Sequence, residues 1–415
     1  VHQPSMSGRP LFETDWLNPE RLRRIGLALL AAAAVGAVFH IWSETRVGLT
    51  NGHGIPLGED FINFWSGAVL AASGKAQAVY DFNAFHAFQQ ALVAGPIQLY
   101  HYSYPPVMLM VSRPLALLPY LAALLLWSLA GWVAFAFALR LLWPTSAALL
   151  YALAIPATFI NLMEGQNGLW TAAILGAGLC WLPRRPIVSG ILFGLLLACK
   201  PQLALLLPLA LLAERNWRAL GAMITSSVLL VTVTLPLYGW TLWTDYRERV
   251  TILRHAILEN DAGTWRLMPS AFIMARSLSL SIFTAYAIQA VVTLTVAALV
   301  VWIWRRRDQA RPIKNAILIL CLLLASPYVQ NYDLAVTAFV PLWLLMGCPE
   351  NDPRRAIVFL AAIILLIAPM MGSVLAQATG VASGWLLLVP ALWISLQQGL
   401  PAVRLAPNPV ADISA

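Results

Sequence analysis

Between residues 25 and 398 the chain returns repeatedly to apolar runs close to the roughly 20 residues that carry a helix across the hydrocarbon core of a bilayer. Nothing else constrains the fold as tightly. There is no water at that depth, so every backbone amide must be satisfied within a helix or a closed barrel, and the ten-residue alternation of barrel strands is absent. The composition agrees, with 60% of the 415 residues hydrophobic, 11% charged and a mean hydropathy of +0.75, outside the range of soluble globular chains. The pattern predicts an all-α polytopic membrane protein, a bundle of about 12 transmembrane helices forming one integral-membrane domain over residues 1–415.

A net charge of +8 could suggest a nucleic-acid partner, but the basic residues do not form a stripe. They sit in short loops, at Arg21, Arg23 and Arg24, at Arg184 and Arg185, and from Arg305 to Arg307. Lysine and arginine are retained on the cytoplasmic side of a membrane. Both termini are therefore expected in the cytoplasm, no nucleic acid is expected, and two larger loops, 43–119 and 238–281, fall outside. The four cysteines, Cys180, Cys199, Cys321 and Cys348, lie in or beside apolar runs without paired spacing, which predicts neither disulfide nor metal site. Residues 25–42 lack a cleavage site of small residues and are expected to remain as a span.

The first outer loop is too polar and too broken to cross a membrane. Residues 60–73 place Phe61, Phe64, Trp65 and Ala68 on one face of an interfacial helix, and 82–94 repeat the pattern. Pro105 and Pro106 lead into a re-entrant or interfacial stretch, 107–118, interrupted at Arg113 and Pro114. Further on, two undersized helices, 187–199 and 203–213, flank Lys200, Pro201 and Gln202. The second outer loop carries Asp245, Arg247, Glu248, Arg249, Arg254, His255, Asp261 and Arg266, of which His255 and Arg266 read as a solvated loop surface.

With this topology Asp60, Asp81, His101, Tyr102, Arg113, Glu164, Gln166, Asn167, Lys200, Gln202, Gln330, Asn331 and Asp333 all fall on the outer face. Ionisable groups near membrane helices cost several kcal/mol when unpaired, so a one-sided collection implies a polar cavity opening outward. Each residue also has an ordinary role open to it. Asp60, Asp81 and Asp333 could cap helices, Glu164 and Asn167 could shape a turn, Lys200 could reach a headgroup, and His101 could sit in an aromatic belt.

A base, a cation and an apolar groove at the membrane surface are what transfer of a sugar from a lipid phosphate requires. An aspartate in a partly dehydrated loop supplies the base, Lys200 or Arg113 the cation, and 107–118 the groove. There is no glycine-rich phosphate loop, no Asp-x-Asp motif and no spacing of metal ligands. No cofactor is expected, the donor being a lipid-linked co-substrate.

Five stretches in order, DFINFWSGAVLAASGKAQAVYD (60–81), YSYPP (102–106), EGQNG (164–168), ACKPQLALLLPLAL (198–211) and SPYVQNYDL (326–334), resemble glycosyltransferase family 87. That family has the GT-C fold and includes polyprenol-phosphate-mannose-dependent α-mannosyltransferases. The resemblance implies a GT-C-like bundle in a bacterial inner (plasma) membrane. It also implies an inverting transfer of a hexose from a polyprenyl-phosphate sugar to a lipid or glycan acceptor on the periplasmic or exterior side. Asp60 matches the expected base and Lys200 the phosphate contact, with Arg113 and His101 as further phosphate-binding candidates. Tyr102, Tyr104, Glu164, Gln166, Asn167, Gln202, Tyr328, Gln330 and Asp333 would line the pocket. A lipid or sugar transporter or flippase is the rival reading; the lack of a counterpart to the Lys200 break in the second half of the chain counts against it.

Overall fold

The structure, a computed structural model, describes residues 19–399 apart from 94, 262, 349–351 and 353. Both chain ends, and with them most of the expected placement of the termini, lie outside the described residues. Among the described residues the architecture is helical, with only isolated bridges pairing Val47 with Thr50 and Thr50 with Pro56. Among the described residues five helices are long and apolar enough to cross a membrane: Gly26–Glu44, Tyr120–Leu142, Trp217–Tyr238, Ile282–Arg305 and Arg355–Thr379. The other expected crossings are shorter or broken. A 14-residue helix such as Gly168–Trp181 reaches only about 21 Å of the roughly 30 Å core. Helix length therefore supports a polytopic membrane protein without carrying a count of twelve.

Following α1 (Pro19–Glu44), the chain folds back through a bridged turn into α2 (Phe61–Ala72). Nine residues of this 12-residue helix are buried, so it does not lie on the membrane surface with one wet face as its periodicity suggests. A helix α4 (Pro106–Ser112), reached after α3 (Phe82–Gln90), packs over it, together with the 3-10 turn Arg113–Leu117 and the span α5 (Tyr120–Leu142). Asp81 does cap α3, its carboxylate accepting the Ala84 amide at 2.9 Å.

The expected span 145–163 is two helices, α6 (Ala147–Ala154) and α7 (Pro156–Met163), because Ile155 is extended, with φ −73° and ψ 136°. A residue before proline is pushed out of the helical region by the ring. The same chemistry ends α9 (Pro186–Cys199), which follows α8 (Gly168–Trp181): Lys200, before Pro201, takes φ −145° and ψ 72°. After a 3-10 turn, Pro201–Ala204, α10 (Leu207–Ala213) returns to α11 (Trp217–Tyr238). Here α9 and α11 approach backbone to backbone. A Cβ on Gly190 would stand 2.2 Å from the Ala219 carbonyl oxygen, and one on Gly194 would stand 2.5 Å from that of Met223, the small-residue spacing by which membrane helices come close.

The second outer loop is folded rather than merely solvated. It contains α12 (Thr241–Leu253), a π-helical turn at Arg254–Glu259 and α13 (Ala271–Ser277). The span α14 (Ile282–Arg305) leads to α15 (Arg311–Ala325), in which every residue from Ile313 to Ala325 is buried. A 3-10 segment, Asn331–Ala338, then joins α16 (Phe339–Met346), α17 (Arg355–Thr379) and α18 (Val389–Gly399). The main core forms around α15 and α8. At the start of α15, Arg311 donates to Glu214, and Lys314 lies 3.8 Å from the same carboxylate.

Candidate active site

Asp60 stands immediately before α2 but does not cap it. Its carboxylate instead accepts a hydrogen bond from the Gln166 side-chain amide and a longer one, 3.5 Å, from Asn63. The approach depends on Gly165, at φ +56°, where a Cβ would meet Phe61 at 2.4 Å and the Gly58 carbonyl oxygen at 2.8 Å. The Trp127 indole donates to the Gly165 carbonyl at 3.1 Å and fixes the turn. Burial lifts the Asp60 carboxyl to about 6, while Gln166 and the charge of Lys200 hold it down.

Lys200 is buried with its partners. Its ammonium donates to the Asn167 side-chain oxygen at 2.9 Å and to the Asp333 carboxylate, and it lies 4.6 Å from the centre of the Tyr332 ring. Side-chain exposures of 2% for Lys200 and 1% for Asp333 make this an interior ion pair rather than a lysine reaching for a headgroup. Asp333 is not the cap of a helix beginning at Leu334. It is the third residue of the Asn331–Ala338 turn, and its second oxygen accepts the Gln330 amide at 3.1 Å. Asn161 draws the two turns together by donating to the Tyr332 carbonyl at 3.0 Å. At Gly168 a Cβ would stand 2.2 Å from that same oxygen, so only glycine permits this contact.

A cavity of about 30 Å³ opens beside Lys200, lined among others by Tyr104, Gln202, Tyr328 and Tyr332. Of the residues singled out from sequence, the structure brings together two bonded sets, Asp60 with Gln166 and Lys200 with Asn167 and Asp333, joined by the chain neighbours Gln166 and Asn167, with Gln330 bonded at the edge. Tyr102 is fully buried behind the cavity, its ring 5.7 Å from that of Tyr104. His101 rests edge-on to Phe82 at 6.4 Å, and burial lowers it to about 4, so at neutral pH it carries no charge for a phosphate. Arg113 is exposed at the end of α4, within electrostatic reach of Tyr238 and outside the cavity lining.

Glu164 faces Glu59, Asp60 and Glu44, and burial followed by those carboxylates pushes its own carboxyl well up. Glu59 is lifted to about 7, mainly by burial and then by Glu44 and Asp60. Linear spacing showed no metal-ligating set, but packing brings His40, Glu44 and Glu59 together with their donor atoms all within 4.8 Å, a group that could hold a cation. Sequence reasoning also missed Tyr332 and Tyr246. Tyr332 sits inside a quoted motif, next to Asp333, which was the available signal; nothing local marks Tyr246.

The family model described as Glycosyltransferase family 87 matches residues 102–327. The chain belongs to glycosyltransferase family 87. It is accordingly a membrane glycosyltransferase. The matched span contains Gln166, Asn167 and Lys200 and leaves out Asp60 and Asp333, which are tied to them by geometry alone. No curated protein and no solved structure matches the chain significantly.

Proposed function

We propose that the chain moves a hexose, mannose by family likeness, from a polyprenyl-phosphate donor to a hydroxyl of a lipid or glycan acceptor. The reaction would take place on the outer side of a bacterial inner membrane, with both chain ends inside. The observation that carries this reading is the meeting of Asp60 and Lys200, distant in sequence, within electrostatic reach of one another.

Asp60 takes the proton of the acceptor hydroxyl as the acceptor oxygen attacks the anomeric carbon. The bond from that carbon to the phosphate oxygen breaks, and the phosphate leaves with the electron pair, inverting the centre. A carboxylate near 6 is largely ionised at neutral pH, yet more basic than an exposed aspartate, which suits a general base. Lys200 donates to the departing phosphate, while Asp333 stabilises its charged form and Asn167 orients it. The sugar arrives on its lipid, so no further cofactor is invoked. Family membership favours transfer over transport.

The test is mannose transfer by purified protein from polyprenyl-phosphate-mannose. Loss of transfer in Asp60→Asn supports the base role, and full turnover by that variant removes it. A requirement for nucleotide sugar removes the donor assignment.

A further inference from the structure

We propose that Tyr246, on α12, contacts the sugar phosphate in the Lys200 cavity and that α12 is the cover that moves to admit it. The inference rests on the glycosyl-transfer reading for the identity of the ligand, but on the cavity itself for the role of the residue.

The lining identifies the ligand class. One ammonium, Lys200, faces phenol rings from Tyr104, Tyr246, Tyr328 and Tyr332 and the amide of Gln202, with no carboxylate in the wall. A cation beside aromatic faces and neutral hydrogen-bonding groups suits an anion that carries a polyhydroxylated ring. Three of the phenols have a polar neighbour that acts on them, Tyr104 and Tyr332 on one another and Ser103 and Gln330 on Tyr328. The Tyr246 hydroxyl has no hydrogen-bond partner among the described residues, and burial pushes its phenol up to about 12, so it stays a donor.

The cavity is too small for what it would bind. About 30 Å³ holds roughly two waters at the ~10–15 Å³ each requires, and no hexose. Most of the wall cannot give way easily: Lys200 is locked to Asp333 and Asn167, and Tyr332 lies between Asn331 and Asp333, which are both buried. The helix α12 differs. Thr241, Thr244, Arg247, Glu248, Val250 and Thr251 are exposed along it. It begins after Gly239, at φ +81° and ψ 164°, a conformation open only to glycine, and it ends in the π-helical turn Arg254–Glu259. Irregular backbone at both ends of a peripheral helix is where a hinged cover would bend. Its anchors are side chains: buried Leu242 and Leu253, the Trp243 indole donating to Thr234 at 3.0 Å, Arg249 over the Phe82 ring at 3.8 Å and Tyr246 against Tyr80 at 5.8 Å.

Cys199, half-buried in the same wall, reports on the cover without any need for turnover. In the full-length protein in detergent, its modification by a small thiosulfonate is followed by peptide mass spectrometry in wild type, Tyr246→Phe and Tyr246→Ala. Undecaprenyl phosphate and mannose 1-phosphate serve as probes. Tyr246→Ala should label about tenfold faster than wild type and Tyr246→Phe at the wild-type rate, while mannose 1-phosphate should protect wild type, protect Tyr246→Phe less and leave Tyr246→Ala unprotected. In the transfer assay Tyr246→Ala should raise the KM for donor more than it lowers kcat. Equal labelling and equal protection in all three proteins would overturn the proposal. Protection that depends on Tyr246, in a protein that transfers no sugar from any polyprenyl phosphate, would uphold Tyr246 and instead overturn the donor assignment.

Discussion

Removing either member of the Lys200–Asp333 pair should harm the protein more than removing both. The two side chains are 2% and 1% exposed, so Asp333→Asn leaves an ammonium in the interior and Lys200→Met leaves a carboxylate. Breaking such a pair costs roughly 3–5 kcal/mol, whereas replacing both partners is often close to neutral. The structure adds a correction. Lys200→Met also orphans the Asn167 oxygen, which accepts at 2.9 Å, and an unmet buried acceptor costs about 1–3 kcal/mol. The double variant should therefore lose only about 1–3 kcal/mol against a sum of about 7–13 for the singles, a coupling of at least ~4 kcal/mol. Scaled to a chain of this length, 1 kcal/mol is about 1–2 °C of melting temperature. Thermal unfolding in detergent should then show Asp333→Asn down by about 3–10 °C, Lys200→Met by about 4–16 °C and the double variant by less than either. Additive losses would refute an interior ion pair. The rescued double variant should still fail to transfer sugar, because it lacks the ammonium proposed to donate to the departing phosphate.

The remaining predictions concern proton transfer and close packing. As the proposed base, Asp60, raised to about 6, must be ionised to accept a proton, so turnover should fall as pH drops through about 6. Gln166→Leu removes the hydrogen bond that holds this carboxyl down and should move the acid limb of the pH profile to higher pH; an unmoved limb would separate Gln166 from the base. Asp60→Asn should lower turnover by about 10²–10⁴, read in the same transfer assay. Gly168→Ala sets a methyl 2.2 Å from the Tyr332 carbonyl oxygen, while Gly221→Ala meets nothing within 4 Å. The first should cost about 1–3 kcal/mol together with activity, and the second neither, by melting temperature and transfer rate.

Much of the membrane scaffold was legible because lipid imposes a length. The apolar runs 120–143, 219–237 and 283–304 correspond to Tyr120–Leu142, Trp217–Tyr238 and Ile282–Arg305. What resisted reading was the partner of each apolar face. The spacing of Phe61, Phe64, Trp65 and Ala68 is the same whether it meets lipid or protein, and α2 proved to be enclosed. Prolines were visible, but the consequence at Pro156, a span divided in two, depends on whether neighbouring helices tolerate the break. The polar residues of the site could be gathered on one face by topology. Their pairings could not: Gln166 reaches Asp60 across 106 positions and Lys200 reaches Asp333 across 133, and no local pattern carries that information. Tyr246 escaped because its neighbours Asp245 and Arg247 suggest a wet loop.

That separation along the chain has a consequence for biosynthesis. A nascent chain delivered as far as α14 already holds Asp60, Gln166, Asn167 and Lys200, but the carboxylate that balances the lysine is still inside the ribosome. Until residue 333 is inserted, the ammonium must be kept hydrated or lie among headgroups, so the region around Pro201 cannot settle to its final depth in the membrane. The proposed catalytic centre is thus among the last parts of the protein to mature, and a product terminated before residue 333 should carry a lysine without its counter-charge.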